Sequence, residues 1–235
     1  MPDGTIGPAP WPRAIWVARH GQSEGNLARD AAYAAGAEII EAGMRDPDAP
    51  LTGLGRRQAE ALGRVIAQAA VQERPTRVLA SPYLRARESA RLALAAAGLD
   101  VPVGLDERLR DREFGVLDRL TGLGITRQHP EEAQRRGWLG KFWHRPPGGE
   151  SWADVALRVR AVLVDLRLDA PGERVLLVAH DVVVLILRYL LEDMTEQEVL
   201  GLQRDGLVHN GGLTVFDGGA ALGRPRLASW NTRCL

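Results

Sequence analysis

Five side chains at three separated points of this 235-residue chain have the types needed to handle an anion. Arg19 and His20 end an apolar run and stand before Gly21; Ser81 ends a second run, with Arg85 one helical turn further on; His180 ends a third. A strand that hands over to a helix through glycine leaves backbone N–H groups and the positive helix end facing one point, which suits an anion. Arginine adds a fixed planar fork of donors, and histidine adds a group that changes protonation near neutral pH. A neutral imidazole nitrogen is a competent nucleophile toward phosphorus, and its ordinary pKa of about 6.5 leaves it mostly unprotonated at pH 7. In phosphoryl transfer the charge sits on the equatorial oxygens, so positioned cations do most of the work. Arg19 and Arg85 can each bind phosphate oxygens through two donors, and His180 can donate to a third oxygen. The leaving alkoxide needs a proton, for which Asp111 or Glu113 in the run Leu109–Gly115 is available. This chemistry requires no metal and no cofactor.

The elements around these residues explain why they should meet. Ala14–Ala18 reads as a buried strand, followed by a helix from about Ser23 to Ala35 and an irregular, proline-interrupted stretch from Gly36 to Pro50. Leu51-Thr52-Gly53-Leu54-Gly55 leads into a long amphipathic helix with Ala59, Leu62, Val65, Ile66 and Ala69 at helical spacing. Arg77–Ala80 is a short strand. Ser81-Pro82 is expected to cap the next helix, which runs to about Ala97 and stops at Gly98. Val101-Pro102-Val103 fits an edge strand. Leu109–Gly124 has no clear period and is expected as loop; Thr126–Gly137 as one helix; Trp138–Glu150 is aromatic, then rich in proline and glycine. Ser151 caps a helix to about Leu168, with Asp154 completing a capping box. Arg174–Ala179 is a strand, followed by a very apolar helix to about Leu191, another helix from Thr195, and strands near 213–216 and 226–229. Alternating strands and helices predict an α/β fold, a mostly parallel central sheet flanked by helices on both faces in three layers. Ligands of such sheets lie beyond the carboxyl ends of the strands, where all three polar groups fall. Residues 1–12 are expected as a disordered tail and 13–235 as a single domain, with a lid around 109–150.

The bulk composition narrows the partners. Thirty basic and thirty acidic side chains give a formal net charge of +0, so no global field attracts nucleic acid or an anionic membrane. The one cysteine, Cys234, allows no intrachain disulfide, no apolar run reaches membrane-spanning length, and the start is no signal peptide; the expected location is cytoplasmic. A homodimer is compatible with the sequence, the helix after His180 and residues 36–50 being readable as interface or, equally, as core and loop. No Walker loop, dinucleotide fingerprint or internal repeat is present.

Five segments, in order, carry a family resemblance: Arg19-His20-Gly21-Gln22-Ser23-Glu24-Gly25-Asn26, Leu51-Thr52-Gly53-Leu54-Gly55, Ala80-Ser81-Pro82-Tyr83-Leu84-Arg85-Ala86, Pro147-Gly148-Gly149-Glu150-Ser151 and Val178-Ala179-His180. The chain resembles the histidine phosphatase superfamily, which includes phosphoglycerate mutase and fructose-2,6-bisphosphatase. The resemblance implies a phosphoglycerate mutase-like fold. It implies that His20 becomes phosphorylated, that Arg19, Arg85 and His180 form the phosphate pocket, that Asn26 adds polar contacts there, and that Gln22 and Ser23 line the entrance. Where Asp111 stands the family usually has Glu, which keeps Glu113 as the reserve acid. Asp181 replaces a common glycine, which bears on the hydrogen bonding of His180.

The favoured reading is a metal-independent phosphomonoesterase acting on a small phosphorylated metabolite. The stretch from Gly115 to Gly148 lacks the long insertion expected of a mutase. Trp138, Phe142 and Trp143 form either an apolar rim over the pocket or plain packing, while Arg135, Arg136 and Lys141 keep mutase-type transfer open. Two further alternatives are a serine esterase, since Gly21–Gly25 matches Gly-x-Ser-x-Gly around Ser23, and a catalytically weak phosphate-binding module. A metal site is disfavoured, because His20, His129, His144 and His209 show no ligand spacing.

Overall fold

The computed structural model describes residues 10–204, 208–218 and 223–235. In chain order the elements are β1 (Ala14–Arg19), α1 (Glu24–Ala34), α2 (Gly53–Gln68), β2 (Arg77–Ala80), α3 (Leu84–Ala97), β3 (Val103–Leu105), α4 (Gly122–Gln128), α5 (Pro130–Leu139), α6 (Trp152–Asp169), β4 (Arg174–Ala179), α7 (Asp181–Leu191), α8 (Glu196–Arg204), β5 (Leu213–Asp217) and β6 (Arg226–Thr232).

The six strands form one sheet in the order β3-β2-β4-β1-β5-β6. β3, β2, β4 and β1 run parallel, while β5 and β6 join antiparallel to their neighbours. β1 and β4 read as unbroken apolar runs because both faces of the sheet are covered. Alternation along each strand then divides the core in two. Ile15, Val17, Val175, Leu177 and Ala179 join one cluster with α6 and α7; Ala14, Trp16, Ala18, Leu176 and Val178 join another with α2 and α3. The three-layer α/β/α expectation therefore holds. Small residues bring α2 and α3 close together: a Cβ on Gly63 would stand 2.2 Å from the Ala93 carbonyl oxygen.

Several local expectations need correction. α3 begins at Leu84 with Tyr83 as N-cap, so Ser81 and Pro82 lie ahead of the helix and do not cap it. Residues 126–137 are not one helix. The residue before a proline is driven out of the helical region, and His129 (φ −136°, ψ 60°) separates α4 from α5, which Pro130 opens. The loop expected over 109–124 includes a 3-10 turn at Gly115–Leu117 and the start of α4, capped by Thr121. Of the tail expected over 1–12, residues 1–9 lie outside the described residues, whereas Trp11 packs against the α6–α7 side of the core and Pro12 is buried. The helix after His180 is core: Val183 and Val184 are fully buried, and Leu185 to Leu187 almost so. Among the described residues no helix is long and apolar enough to cross a membrane.

Candidate active site

β2, β4 and β1 are adjacent and parallel, with Ala80 beside Val178 and Arg19 beside Ala179. Their carboxyl ends therefore deliver Ser81, His180 and Arg19-His20 to one place, and the first turn of α3 adds Arg85. All five side chains are buried.

The turn after β1 has little room. A Cβ on Gly21 would meet the Gly55 carbonyl oxygen at 2.2 Å, and one on Gly55 would meet the Gln22 carbonyl oxygen at 1.9 Å. Thr52 caps α2 through the Gly55 N–H and binds Gln22 through both its backbone N–H and its hydroxyl. The Leu51–Gly55 motif is thus a brace for the His20 turn.

His20 Nδ1 lies 2.7 Å from the Gly21 carbonyl oxygen, which accepts its proton and leaves Nε2 unprotonated. Arg85 Nε donates to that Nε2 at 3.2 Å. Burial, and then the charge of Arg85, hold the His20 pKa well below its ordinary value, so the ring is neutral. His180 is likewise kept neutral by burial, then by Arg85 and Arg19. The Tyr83 N–H donates to Ser81 Oγ, which frees the Ser81 hydroxyl to donate to His180 Nε2 at 2.9 Å. That bond places the His180 proton on Nδ1, 3.3 Å from Asp111 Oδ2.

Among the described residues, two buried donors facing this space have no hydrogen-bond partner: Arg19 Nε and His180 Nδ1. Orphaned buried donors are costly in a finished protein, and an anion of the right size satisfies both. Arg19 is otherwise held by the Val208 carbonyl, and burial lowers its pKa, with nearby Asp181 offsetting part of that. Burial also works against the charge of Arg85, but Asp46 and Asp111 outweigh it and the pKa is raised.

Asp111 reaches the pocket with Oδ2 at 3.2 Å from Arg85 Nη2. Glu113 does so only indirectly: its Oε1 accepts from the Tyr83 hydroxyl at 2.6 Å, and Tyr83 packs edge-on against His180. This loop is oriented by Glu150, which takes Arg110, Arg158 and the Glu113 N–H. Gly115 (φ +56°) allows the Pro147 carbonyl to approach and accept from Val116. The Pro147–Ser151 motif is therefore the support of the acid loop.

Ser23 does not stand free at the entrance. It is 1% exposed, caps α1, and forms a capping box with Asn26. In the esterase alternative, Ser23 would be a nucleophile already engaged in capping α1. The Asn26 Oδ1 accepts from the Ser23 N–H and from Asn210 Nδ2, so much of its polar capacity serves the turn. Gln22 is bound by Thr52 and by Gln58. Asp181 accepts from the Val182 N–H and leaves the bonding of His180 to Ser81. Phe142 is core, packed against Trp152 and Tyr189; Trp143 donates to Glu196; Trp138 is 88% exposed. The packing reading thus holds for Phe142.

Asp46, whose carboxylate and backbone carbonyl both bind Arg85, and the Tyr83–Glu113 contact have no signal in the sequence. Arg136 and Lys141 group with Arg135 in the sequence. The structure instead sets them against Arg112, whose pKa is lowered to about 10 by burial and then by Arg136. Lys141 is lowered to about 8 by burial, then by Arg136 and Arg112. Among the described residues these three cations form no ion pair, and no group of three or more His, Cys, Asp or Glu is placed to hold a metal.

Comparison with known proteins identifies a family and a shared fold. The model of the histidine phosphatase superfamily (branch 1) matches residues 15–233. A 2,3-bisphosphoglycerate-dependent phosphoglycerate mutase of Methylobacterium radiotolerans is 33% identical, over 81% of this chain and 84% of the relative. A mycobacterial glucosyl-3-phosphoglycerate phosphatase, solved with VO3, superposes with a TM-score of 0.69 at 28% identity, covering 94% of this chain and 99% of that one. The alpha-ribazole phosphatase of Shigella flexneri, at 22% identity, a TM-score of 0.73 and coverage of 94% and 96%, shares the fold.

Proposed function

From the premise that the chain belongs to the histidine phosphatase superfamily, we propose that it is a metal-independent phosphomonoesterase working through a phosphohistidine. The observation that carries this reading is a neutral His20 whose unprotonated Nε2 is met by Arg85 Nε, together with two buried donors that lack a hydrogen bond, Arg19 Nε and His180 Nδ1. A phosphoryl group there receives donors from Arg19, Arg85 and His180. His20 Nε2 attacks phosphorus in line as the bond to the leaving oxygen breaks, and Asp111 gives that oxygen its proton. A water then attacks the phosphohistidine, Asp111 takes the water proton, and the P–N bond breaks to release phosphate and neutral His20. Glu113, engaged by Tyr83, positions the loop. The lowered pKa of His20 favours the unprotonated nucleophile, and the cations stabilise charge on the equatorial oxygens.

The lid region 109–150 adds the substrate class. Arg112, Arg136 and Lys141 repel one another and, among the described residues, form no ion pair, with Asp111, Glu150, Asp154 and Asp181 acting on Arg112 and Lys141 only at longer range, which fits a small phosphomonoester carrying a second anionic group. The same cations favour a second reading, mutase-type transfer between phosphorylated acids, because such an enzyme must hold an anionic product for return transfer. The deciding experiment follows phosphate release from an aryl phosphate and from 3-phosphoglycerate, with chelator present, for wild type and His20→Ala. Release from both esters, lost in the variant, is the expected result. Isomerisation of phosphoglycerate without net release overturns the phosphatase assignment, and substantial turnover by His20→Ala overturns the phosphohistidine.

A further inference from the structure

Arg85 is held from outside the five sequence segments that carry the family resemblance. Its guanidinium is 4% exposed and directs Nε at His20 Nε2. Its outer edge is gripped twice by one residue: Nη1 donates to the Asp46 backbone carbonyl at 2.6 Å, and Nη2 to Asp46 Oδ2 at 3.0 Å. Asp46 itself is half exposed, at the head of the 3-10 turn Asp46–Asp48. That turn is fastened independently by the Arg45–Asp48 ion pair and by Arg119, which donates to the Met44 carbonyl. The residue can therefore impose a position on Arg85 as well as follow it.

Charge gives this contact a second consequence. The phosphoryl site holds two fixed cations, Arg19 and Arg85, and two neutral histidines. Asp111 has the proton-transfer role, which leaves Asp46 as the other carboxylate on the Arg85 guanidinium. A carboxylate 3.0 Å from Arg85 offsets part of the attraction that the guanidinium exerts on a phosphate dianion.

Building on the phosphomonoesterase reading, we propose that Asp46 is a positioning residue with two separable effects. Its carbonyl and carboxylate aim Arg85 Nε at the phosphoryl site, and its negative charge weakens the hold on inorganic phosphate so that product leaves after each turnover. A purely structural carboxylate predicts that its loss weakens phosphate binding. The charge role predicts the opposite sign for the isosteric amide.

The test is calorimetric titration of inorganic phosphate, and separately of orthovanadate, into wild type, Asp46→Asn, Asp46→Glu and Asp46→Ala, with steady-state kinetics on an aryl phosphate. Asp46→Asn, which keeps the shape and an acceptor, is expected to bind phosphate roughly five- to tenfold more tightly, with kcat and KM falling together as release slows. Asp46→Glu is expected to stay within about twofold of wild type, and Asp46→Ala to bind more weakly than Asp46→Asn because Arg85 loses its side-chain hold. Unchanged or weaker binding in Asp46→Asn overturns the charge role, as does failure of Asp46→Glu to keep wild-type affinity. Equal affinities of the Asn and Ala variants overturn the positioning role. Failure of wild type to bind phosphate or vanadate at all overturns the phosphatase reading together with this inference, whereas wild-type binding with an unaltered Asn variant overturns this inference alone.

Discussion

The strand-end pocket and the 109–150 region treat charge in opposite ways. In the pocket, the histidines are neutral and Arg85 is flanked by Asp46 and Asp111. Arg19, His20, Arg85 and His180 are buried, Asp46 is half exposed, and Arg85 already donates to fixed acceptors. In the 109–150 region, burial first and then neighbouring cations, Arg136 for Arg112 and Arg136 and Arg112 for Lys141, lower the pKa of Arg112 and Lys141. On the function proposed above, an anion relieves the repulsion in the second region, chemistry and selectivity fall to different parts of the chain, and substitutions in the two regions should alter different kinetic constants.

The largest effect tests the pocket. His20→Ala should lower kcat by four orders of magnitude or more, roughly the scale of removing a covalent nucleophile elsewhere, while the thermal midpoint shows the fold intact. Asp111→Asn should lower kcat about 10²- to 10⁴-fold for esters with poor leaving groups, and much less for an activated aryl ester that leaves without a proton. Equal losses on both would remove Asp111 from proton transfer. In the other region, the double variant Arg136→Ala/Lys141→Ala should raise KM roughly tenfold for a doubly anionic ester and leave a simple aryl phosphate nearly unchanged. With Lys141 titrating at about 8, wild-type KM for the anionic ester should climb above that pH, and a flat profile would break the comparison.

The smallest effect is one of stability. His20 and His180 have folded pKa values below the ordinary value of about 6.5, so the unfolded chain binds more protons as pH falls. Their contribution is fully present above about pH 6.5 and is lost as pH drops toward the folded values, at up to about 1.4 kcal/mol per pH unit for each ring. Denaturant titrations between pH 7 and 5 should show this slope, reduced in His20→Ala. An unchanged slope would mean that the His20 ring is not held neutral by burial.

What could be read from the sequence follows the same division. Strand ends were legible because apolar runs such as Arg174–Ala179 stop abruptly at a polar residue, and parallel order then forces those ends together. Arg19, His20, Arg85 and His180 were found this way. Asp46 was not, because it lies among Glu38, Glu41 and Asp48 in a stretch without period, and only the folded turn selects which carboxylate meets Arg85. Ser23 is expected at the entrance and Asn26 in the phosphate pocket, yet the two share a capping box, because polarity alone does not distinguish a ligand contact from a cap. Phe142 and Trp143 are adjacent and similar in type, yet one is core and the other exposed; no local pattern separates them.

β1 is the first strand of the chain, but it lies inside the sheet between β4 and β5, pairing with residues 174–179 and 213–217. During synthesis Arg19 and His20 therefore wait on an unpaired apolar strand until most of the polypeptide has been made. Such distant pairing closes slowly, and the waiting edge is open to mispairing or chaperone capture. Arg19 and His20 thus precede in the chain both segments that pair with β1. Phosphate release, followed during refolding, would report completion of the whole sheet, with no activity from any intermediate in which β4 and β5 have yet to dock.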